Sequence, residues 1–575
     1  MKRCRQITAL INTLPIKSTP SVRGERCGTR AGGCRRAAVV GLNLCTVTTD
    51  KTLTDQLTAS TLPASTLPAS TPHHRVPAME AADVSEQMQV RMEKRARLIE
   101  RGGQAYPVGV ERTHTLVQVR AKYPDLAADE ATGDVVGVTG RVVFVRNTGK
   151  LCFATLQAGD GTRLQAMLSL AAVGAVALAD WKALVDLGDH VYIRGEVISS
   201  RRGELSIMAD SWQMASKALR PLPVLHAELS EEMRVRQRYV DLIVREEARD
   251  QVRTRSAIVR AIRDTLHGED YIELETPILQ LVHGGAAARP FRTHLNAFDQ
   301  PMTLRIAIEL YLKRAVVGGM DKVFEVGRIF RNEGVDSTHS PEFTMLEAYE
   351  AYGDQFSMAG IMQRIILACA DAAGSRTIET PRGTVKLDGE WRWLPVYQGL
   401  SDSVGQVVTP ETTAAELRAL AARHEVAVDA SWDAEKLVVE LFGEIVEPTL
   451  IQPTFVCDYP PSAQPLARQH RTDGRLIEAW DLIIDGKETG TAFSELVDPV
   501  IQRERLTVQS LQAAAGDPEA MALDEDFLRA LEYGAPPMGG LGLGVDRLVM
   551  LFTGVGIREA ILFPLMKPEN LMKPE

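Results

Sequence analysis

Apolar and polar positions change period along the chain, and each change marks a different kind of element. From Val84 to Arg101 a charged helical pattern runs up to the stop at Gly102-Gly103. Its charges (Arg91, Glu93, Lys94, Arg95, Arg97, Glu100 and Arg101) are expected on a solvated face, with a nucleic-acid contact as the alternative. β-Rich runs follow at Val135–Val145, Leu151–Leu156, Thr162–Leu168 and His190–Val197, with turn sequences at Asn147–Gly149, Gly159–Gly161 and Arg202–Gly203. A helical pattern at Ala171–Val185 falls between the third and fourth runs. Short strands with one helix before the fourth predict a small Greek-key barrel over residues 133–222. Ala215–Pro223, with Pro221 and Pro223, reads as a linker. The remaining residues, 223–575, mix helices and strands and suffice for one large α+β domain. Within them Thr409 followed by Pro410 predicts a helix start, and residues 400–450 read as a helical insertion.

Composition narrows the class. The chain has 575 residues, 45% hydrophobic and 24% charged, which excludes a disordered, collagen-like or disulfide-scaffold protein. The most apolar stretch, Ala166–Ala179, is interrupted by Ser169 and Gly174 and is shorter than the roughly 20 residues of a spanning helix, so no membrane partner is expected. Charge is uneven. Residues 1–78 carry 11 basic against 3 acidic residues, and the remainder 54 against 72, so a basic head precedes an acidic body. The head holds Cys4, Cys27, Cys34 and Cys45 and ends in a repeat, Gln56–Ser60, Thr61–Ser65 and Thr66–Ser70, of a composition that cannot bury enough apolar surface to order itself. It superficially resembles an organellar transit peptide; the plainer expectation is an extension of little consequence, with Met79 as the start. A helical segment then occupies residues 79–132. Cys152, Cys369 and Cys457 lie far apart in sequence, and the seven cysteines form neither a disulfide framework nor a C-x-x-C site, so a cytoplasmic protein is expected.

Three stretches carry chemistry. A strand at Lys322–Phe330 delivers Arg331, a polar turn spans Gly334–Ser340, and a second strand runs from Phe343 to Tyr352. This hairpin gathers an arginine, carboxylates, His339 and an aromatic around one cleft, and the rigid fork of arginine suits phosphate or carboxylate. Gly539–Gly544 is a glycine-rich strand entering the helix that carries Asp546, Arg547 and Leu548–Phe552. Its spacing is not the dinucleotide fingerprint, and no Walker A sequence occurs. Third, a helix over Ile258–Leu266 leads into a strand broken at Thr276-Pro277, where proline suits a strand end.

In chain order, the Pro277, Arg331 and Arg547 segments resemble the three motifs of class II aminoacyl-tRNA synthetases, over about residues 84–567. The barrel resembles the oligonucleotide-binding (OB-fold) anticodon domain of the lysine, aspartate and asparagine subclass. Leu304–Lys313, Gly284–Pro290 and Phe493–Leu496 are similar to stretches of the lysine-specific members. The resemblance implies an α+β architecture: an N-terminal OB barrel, then a catalytic domain with an antiparallel sheet flanked by helices. It also implies a two-step ligase that activates L-lysine with ATP and transfers it to tRNA(Lys), working as a homodimer with Pro277 at the interface.

Charge separates the subclass members. An ε-ammonium needs a carboxylate, whereas a β-carboxylate needs arginine or lysine. By resemblance, Glu495 and Tyr349 hold the side-chain ammonium, Glu309 the α-amino group, and Glu347 the pocket floor. Leaving such a buried carboxylate unpaired costs ~3–5 kcal/mol, which rejects uncharged analogues. The resemblance also places Arg331 between the lysine carboxylate and the α-phosphate. Phe343 and Arg547 fall on the two faces of adenine, Glu333 at its edge and His339 at the phosphates. Asp481 and Glu488 are implied ligands for Mg²⁺, with more than one ion expected; oxygen ligands and ATP phosphates suit this cation. Three positions depart from the family pattern: Asp481 where glutamate is common, Thr491 where asparagine is common in the lysine site, and Ala492 where glycine is common. In the barrel Arg141, Phe153 and Gln165 match anticodon-reading positions, with an aromatic platform and polar edge readers. Two other readings remain at this stage: a same-fold lysine ligase with a protein acceptor, and a non-catalytic RNA-binding paralogue.

Overall fold

The computed structural model describes residues 85–223, 229–336, 338–517 and 519–568. The basic head, its repeat and Met79 lie outside the described residues.

The first helix, Glu86–Glu100, begins at Ser85, whose Oγ accepts a hydrogen bond from the Met88 amide. Its polar face is not wholly solvated. Arg91 is buried and donates to the carbonyls of Leu187 and Ala218, at 2.9 and 3.1 Å. Lys94 pairs with Asp186 at 2.5 Å. The same corner holds Lys217, whose ammonium lies 2.6 Å from Asp186 and 2.8 Å from Asp189. Two of the charges expected to face water therefore clamp the helix to the barrel.

The barrel is closed by strands Ala131–Asn147, Leu151–Gln157, Arg163–Ser169, His190–Ser199 and Leu205–Ser216. The helix Ala175–Leu184 joins the third strand to the fourth. Leu205–Ser216 is a strand that the β-rich runs did not announce, and its end overlaps the expected linker. Its residues Leu205, Ile207, Ala209 and Met214 are buried, while Ser206, Asp210, Ser211 and Gln213 break up the apolar run that would have marked it. Inward-facing Val136, Val138, Cys152, Ala154, Leu156, Leu164, Ala166 and Leu168 alternate with outward positions and fill the interior.

The larger body is built on an eight-stranded sheet. Its order is Arg392–Pro395, Thr454–Cys457, Ala479–Ile484, Lys487–Ser494, Met538–Gly544, Glu342–Ala351, Lys322–Phe330 and Ile272–Glu273. All neighbours are antiparallel except at the two outer edges. The long helix Glu246–Gly268, which extends well beyond the expected Ile258–Leu266, packs on this sheet with Gln355–Ala373 and Val545–Thr553. Gln355–Ala373 is long and apolar enough to span a membrane, but Met358, Ile361, Met362, Ile365 and Ile366 are buried in the core against the sheet. Asp546 ties three elements together. It accepts from the Thr344 amide at 2.6 Å and pairs with Arg255 at 2.5 Å, joining the helix Val545–Thr553 to the hairpin and to the long helix.

Helices Val396–Val404, Ala414–Arg423 and Ala434–Ile445 pack in an apolar cluster that they share with Leu394, Val456, Ala479, Ile483 and Phe493 of the sheet. The second of these does not start at Thr409. Residues 409–412 make a turn, and Thr413 is the N-cap, because Glu416 three residues later completes a reciprocal capping box that Thr409 lacks.

Replacing Lys217 with methionine leaves Asp189, whose side chain is fully buried, without its counter-charge. The change is expected to destabilise the barrel by ~3 kcal/mol, read as a lower midpoint in thermal unfolding followed by circular dichroism. An unchanged midpoint would contradict the role given to this corner.

Candidate functional site

Three adjacent strands make the floor of a cavity of about 430 Å³. Register sets its shape. Tyr349 pairs with Gly540, which pairs with Phe493; two residues along, Glu347 pairs with Gly542, which pairs with Thr491. Side chains two apart share a face, so each row has a side chain, a glycine and a side chain. A Cβ at Gly540 would collide with Glu495 Oε1 and the Tyr349 ring. At Gly542 it would meet only Met345 and Thr491, at 3.4 and 3.6 Å, and would intrude on the cavity rather than clash.

The inner end is acidic and buried. Glu309, Glu347, Glu495 and Tyr349 are all buried. Both oxygens of Glu347 are occupied: one accepts from the Ile308 amide at 2.9 Å, the other from the Tyr349 hydroxyl at 3.1 Å. Glu347 thus fixes the start of the helix Glu309–Val317 and the tyrosine ring. Burial, then the charge of Glu309, pushes its carboxyl up to about 7. Burial likewise raises the pKa of Glu309 and Glu495, and that of the Tyr349 phenol. Glu495 Oε1 has no hydrogen-bond partner among the described residues. The sequence reading did not single out Lys313, which lies four residues after Glu309 and pairs with it at 2.6 Å, also contacting Glu495. The Glu–Lys spacing of one helical turn was the available signal.

The outer end is basic and aromatic. Arg331 follows the strand Lys322–Phe330 and is partly buried, which lowers its guanidinium pKa. Its Cζ lies 5.3 Å from the centre of the Phe343 ring, and its Nε donates to the Ile306 carbonyl. Glu333 and His339 stand on the exposed hairpin loop at the rim. His339 Nδ1 is 2.9 Å from Asp336, which also accepts from the Thr338 and His339 amides. Arg547 enters from the helix after the glycine strand and donates to the Glu488 carbonyl at 2.6 Å, with the Glu488 carboxylate 3.7 Å away.

Asp481 and Glu488 sit on paired strands, with a register shift between Leu482 and Ile483. Burial first, and then the charge of Glu488, raises the Asp481 pKa; hydrogen bonds from Thr491 and Tyr459 oppose this. Glu447, unnoticed in the sequence, adds a third negative charge nearby. No group of three or more histidine, cysteine or acidic side chains among the described residues is arranged to hold a metal ion. The two predicted carboxylates do repel one another across the strand pair, and a cation would relieve that repulsion. The Thr491 hydroxyl lies 3.2 Å from the Trp480 carbonyl and within reach of Asp481, and the residue also lines the cavity.

In the barrel, the outer face carries Phe153 and Gln165, while Cys152, Ala154, Leu164 and Ala166 point inward. Phe153 is therefore not a core residue. Arg146 stacks over it with Cζ 4.6 Å from the ring centre. Gln165 donates to Ser206 Oγ at 2.8 Å, and Arg141 to the Gly188 carbonyl at 2.9 Å. Exposed Phe144, paired with Thr155, adds an aromatic that the sequence reading missed. Pro277 is exposed, in a segment that also carries the exposed apolar residues Ile272, Ile278, Leu279 and Leu281.

Comparison with known proteins gives the same division. Residues 230–567 match the family described as "tRNA synthetases class II (D, K and N)", and residues 133–215 match "OB-fold nucleic acid binding domain". The chain is 56% identical over 498 residues to the "Lysine--tRNA ligase 1" of Mycobacterium tuberculosis, covering 85% of this chain and 99% of that protein. It is 57% identical over 495 residues to the "Lysine--tRNA ligase" of Kineococcus radiotolerans, covering 86% and 99%. It is also 47% identical over 490 residues to the "Lysylphosphatidylglycerol biosynthesis bifunctional protein" of Nocardia farcinica, covering 84% of this chain but 43% of that protein. The eight-stranded sheet with its three motif segments, the OB barrel and this degree of identity make the chain a member of the class II tRNA synthetases of the D, K and N group.

Proposed function

We propose that the protein joins L-lysine to the 3′ end of tRNA(Lys), using ATP. The observation that carries the choice of amino acid is the buried, half-unpartnered carboxylate of Glu495 beside Tyr349, deep in the cavity. A cationic side chain satisfies that oxygen; the carboxylate of aspartate would meet like charge there. Glu309 receives the α-ammonium. Arg331, at the outer end but with its charge reaching Glu347, receives the substrate carboxylate and the α-phosphate. Phe343, Glu333, His339 and Arg547 form the nucleotide end, and Thr491 belongs with the lysine-binding groups, in the strand row of Glu347.

A lysine carboxylate oxygen attacks the α-phosphorus of ATP, pyrophosphate leaves, and lysyl-adenylate remains. The terminal ribose hydroxyl of tRNA then attacks the acyl carbon and AMP leaves. No side chain acts as a nucleophile; positioning and charge neutralisation by Arg331 and Arg547 lower the barrier. Asp481 and Glu488 would hold Mg²⁺ together with the ATP phosphates, and the ion would offset phosphate charge. In the barrel, Phe153 would stack on an anticodon base, with Arg141 and Gln165 at its edge. The exposed apolar residues around Pro277 support pairing of two copies through that segment, and the thiol state of the buried cysteines Cys152, Cys369 and Cys457 agrees with a cytoplasmic setting.

ATP–pyrophosphate exchange is expected with lysine and with none of the other standard amino acids. Arg331→Ala should abolish it, and Glu495→Gln should raise the KM for lysine ~100-fold while sparing that for ATP. Exchange driven by another amino acid would overturn the reading. Lysine binding should be pH-dependent, because Glu347 is pushed up to about 7 and the pKa of Glu495 is raised as well. Below neutrality these groups hold protons that the substrate ammonium must displace, so affinity falls as pH falls, and binding near neutral pH releases protons. Titration calorimetry in buffers of different ionisation enthalpy measures that release. Sedimentation velocity should give a dimer, and Leu279→Asp with Leu281→Asp should shift it to monomer.

A further inference from the structure

Lys313 is a buried cation with no part in either chemical step. Its side chain is 1% exposed, one helical turn after Glu309, and its ammonium pairs with Glu309 at 2.6 Å and contacts Glu495. The Tyr349 ring centre is 6.0 Å away. Burial by itself lowers the pKa of Lys313, but Glu309 and Glu495 outweigh that and raise it, so it is charged. A lysine ammonium is among the most strongly hydrated side-chain groups, and it stays buried only where carboxylates compensate it.

The groups facing it come from three elements. Glu309 is on its own helix, Glu495 follows the strand Lys487–Ser494, and Tyr349 lies on the strand Glu342–Ala351, where Glu347 stands beside it and adds its charge to that of Glu495. Arg331 is the cation whose charge reaches Glu347 from the other end of the cavity. Glu333, Glu488 and Arg547 also surround Arg331, but they belong to the nucleotide end; at the lysine end alone, Glu309, Glu347 and Glu495 stand against Lys313 and Arg331, one positive charge short. Free lysine carries two ammonium groups and one carboxylate, a net charge of one. Without Lys313 the deficit would be two, and one carboxylate would keep a proton even with lysine bound.

We propose that Lys313 is a positioning residue that sets the charge deficit of the pocket to one, so that a monocationic amino acid completes it. This rests on the lysine reading of the same site. Lysine-dependent ATP–pyrophosphate exchange, normalised to active-site concentration and followed against pH, tests it. With Lys313→Met the acid limb of kcat/KM for lysine is expected to move up by about one pH unit, and the KM for lysine near neutral pH to rise about tenfold. The kcat and the KM for ATP should stay near wild type, and the defect should shrink as pH rises. Lys313→Arg should restore the limb. Lys313→Gln, whose amide reaches toward the same carboxylates without the charge, serves where the methionine variant does not fold. A merely structural role would reduce active enzyme equally at every pH, and an unmoved limb in either neutral variant overturns the proposal. Loss of lysine-dependent exchange in the wild-type protein would instead overturn the lysine reading itself.

Discussion

Gly540 has no side chain, and the substrate end of the cavity occupies the space this leaves. The strand Met538–Gly544 runs between two strands that carry bulky or charged groups. A β-carbon at position 540 would meet Glu495 and Tyr349, so neither could hold its present place. A glycine-rich strand is weak in isolation, because glycine loses much backbone freedom and packs nothing. Here it is paired on both sides, and its buried leucines, Leu541 and Leu543, face the core on the opposite side. Strand pairing supplies the rigidity that glycine lacks, and the alternation of the strand separates core from cavity.

The second constraint is electrostatic. Three carboxylates in a buried pocket repel one another, and each is costly to ionise there. Their raised pKa values express that cost. The pocket bears it through internal partners: the Ile308 amide and the Tyr349 hydroxyl on Glu347, and Lys313 between Glu309 and Glu495. One oxygen of Glu495 is left over. The proposed selectivity for a cation rests on what is unsatisfied rather than on what is bonded, because a neutral analogue of the same length would leave that deficit in place.

The acidity of the body, net −18 once the basic head is set apart, does not conflict with an RNA partner. Part of it is spent in this pocket and in ion pairs. Nucleic-acid contact needs only a local surface, and the outer face of the barrel carries Phe144, Arg146, Phe153 and Gln165, the group proposed for it. The N-terminal helix contributes less than its charge suggests, since Arg91 and Lys94 are turned onto the barrel.

Much was legible before any coordinates. The strand Lys322–Phe330, the hairpin beyond it and the helix after the glycine strand follow from local periodicity and turn chemistry, which act over a few residues. The carboxylate-lined pocket was legible only through the resemblance to the class II synthetases, because nothing local brings Glu309, Glu347 and Glu495 together. The strand Leu205–Ser216 was not legible, because Ser206 and the exposed Asp210, Ser211 and Gln213 interrupt its apolar positions, and its place is fixed by pairing with Arg163–Ser169, distant in sequence, as well as with the preceding strand. The helix cap at Thr413 was misplaced to Thr409, where a proline imitated a start signal. The work of Lys313 and Glu447 was hidden as well, although Lys313 sits at helical spacing from Glu309. The sequence by itself determined which groups were available and where local elements begin. Which carboxylates share a buried cavity, which cation neutralises them and which oxygen is left free depend on strand register between segments up to 200 residues apart, and only tertiary packing removes the water that would otherwise make those charges indifferent to one another.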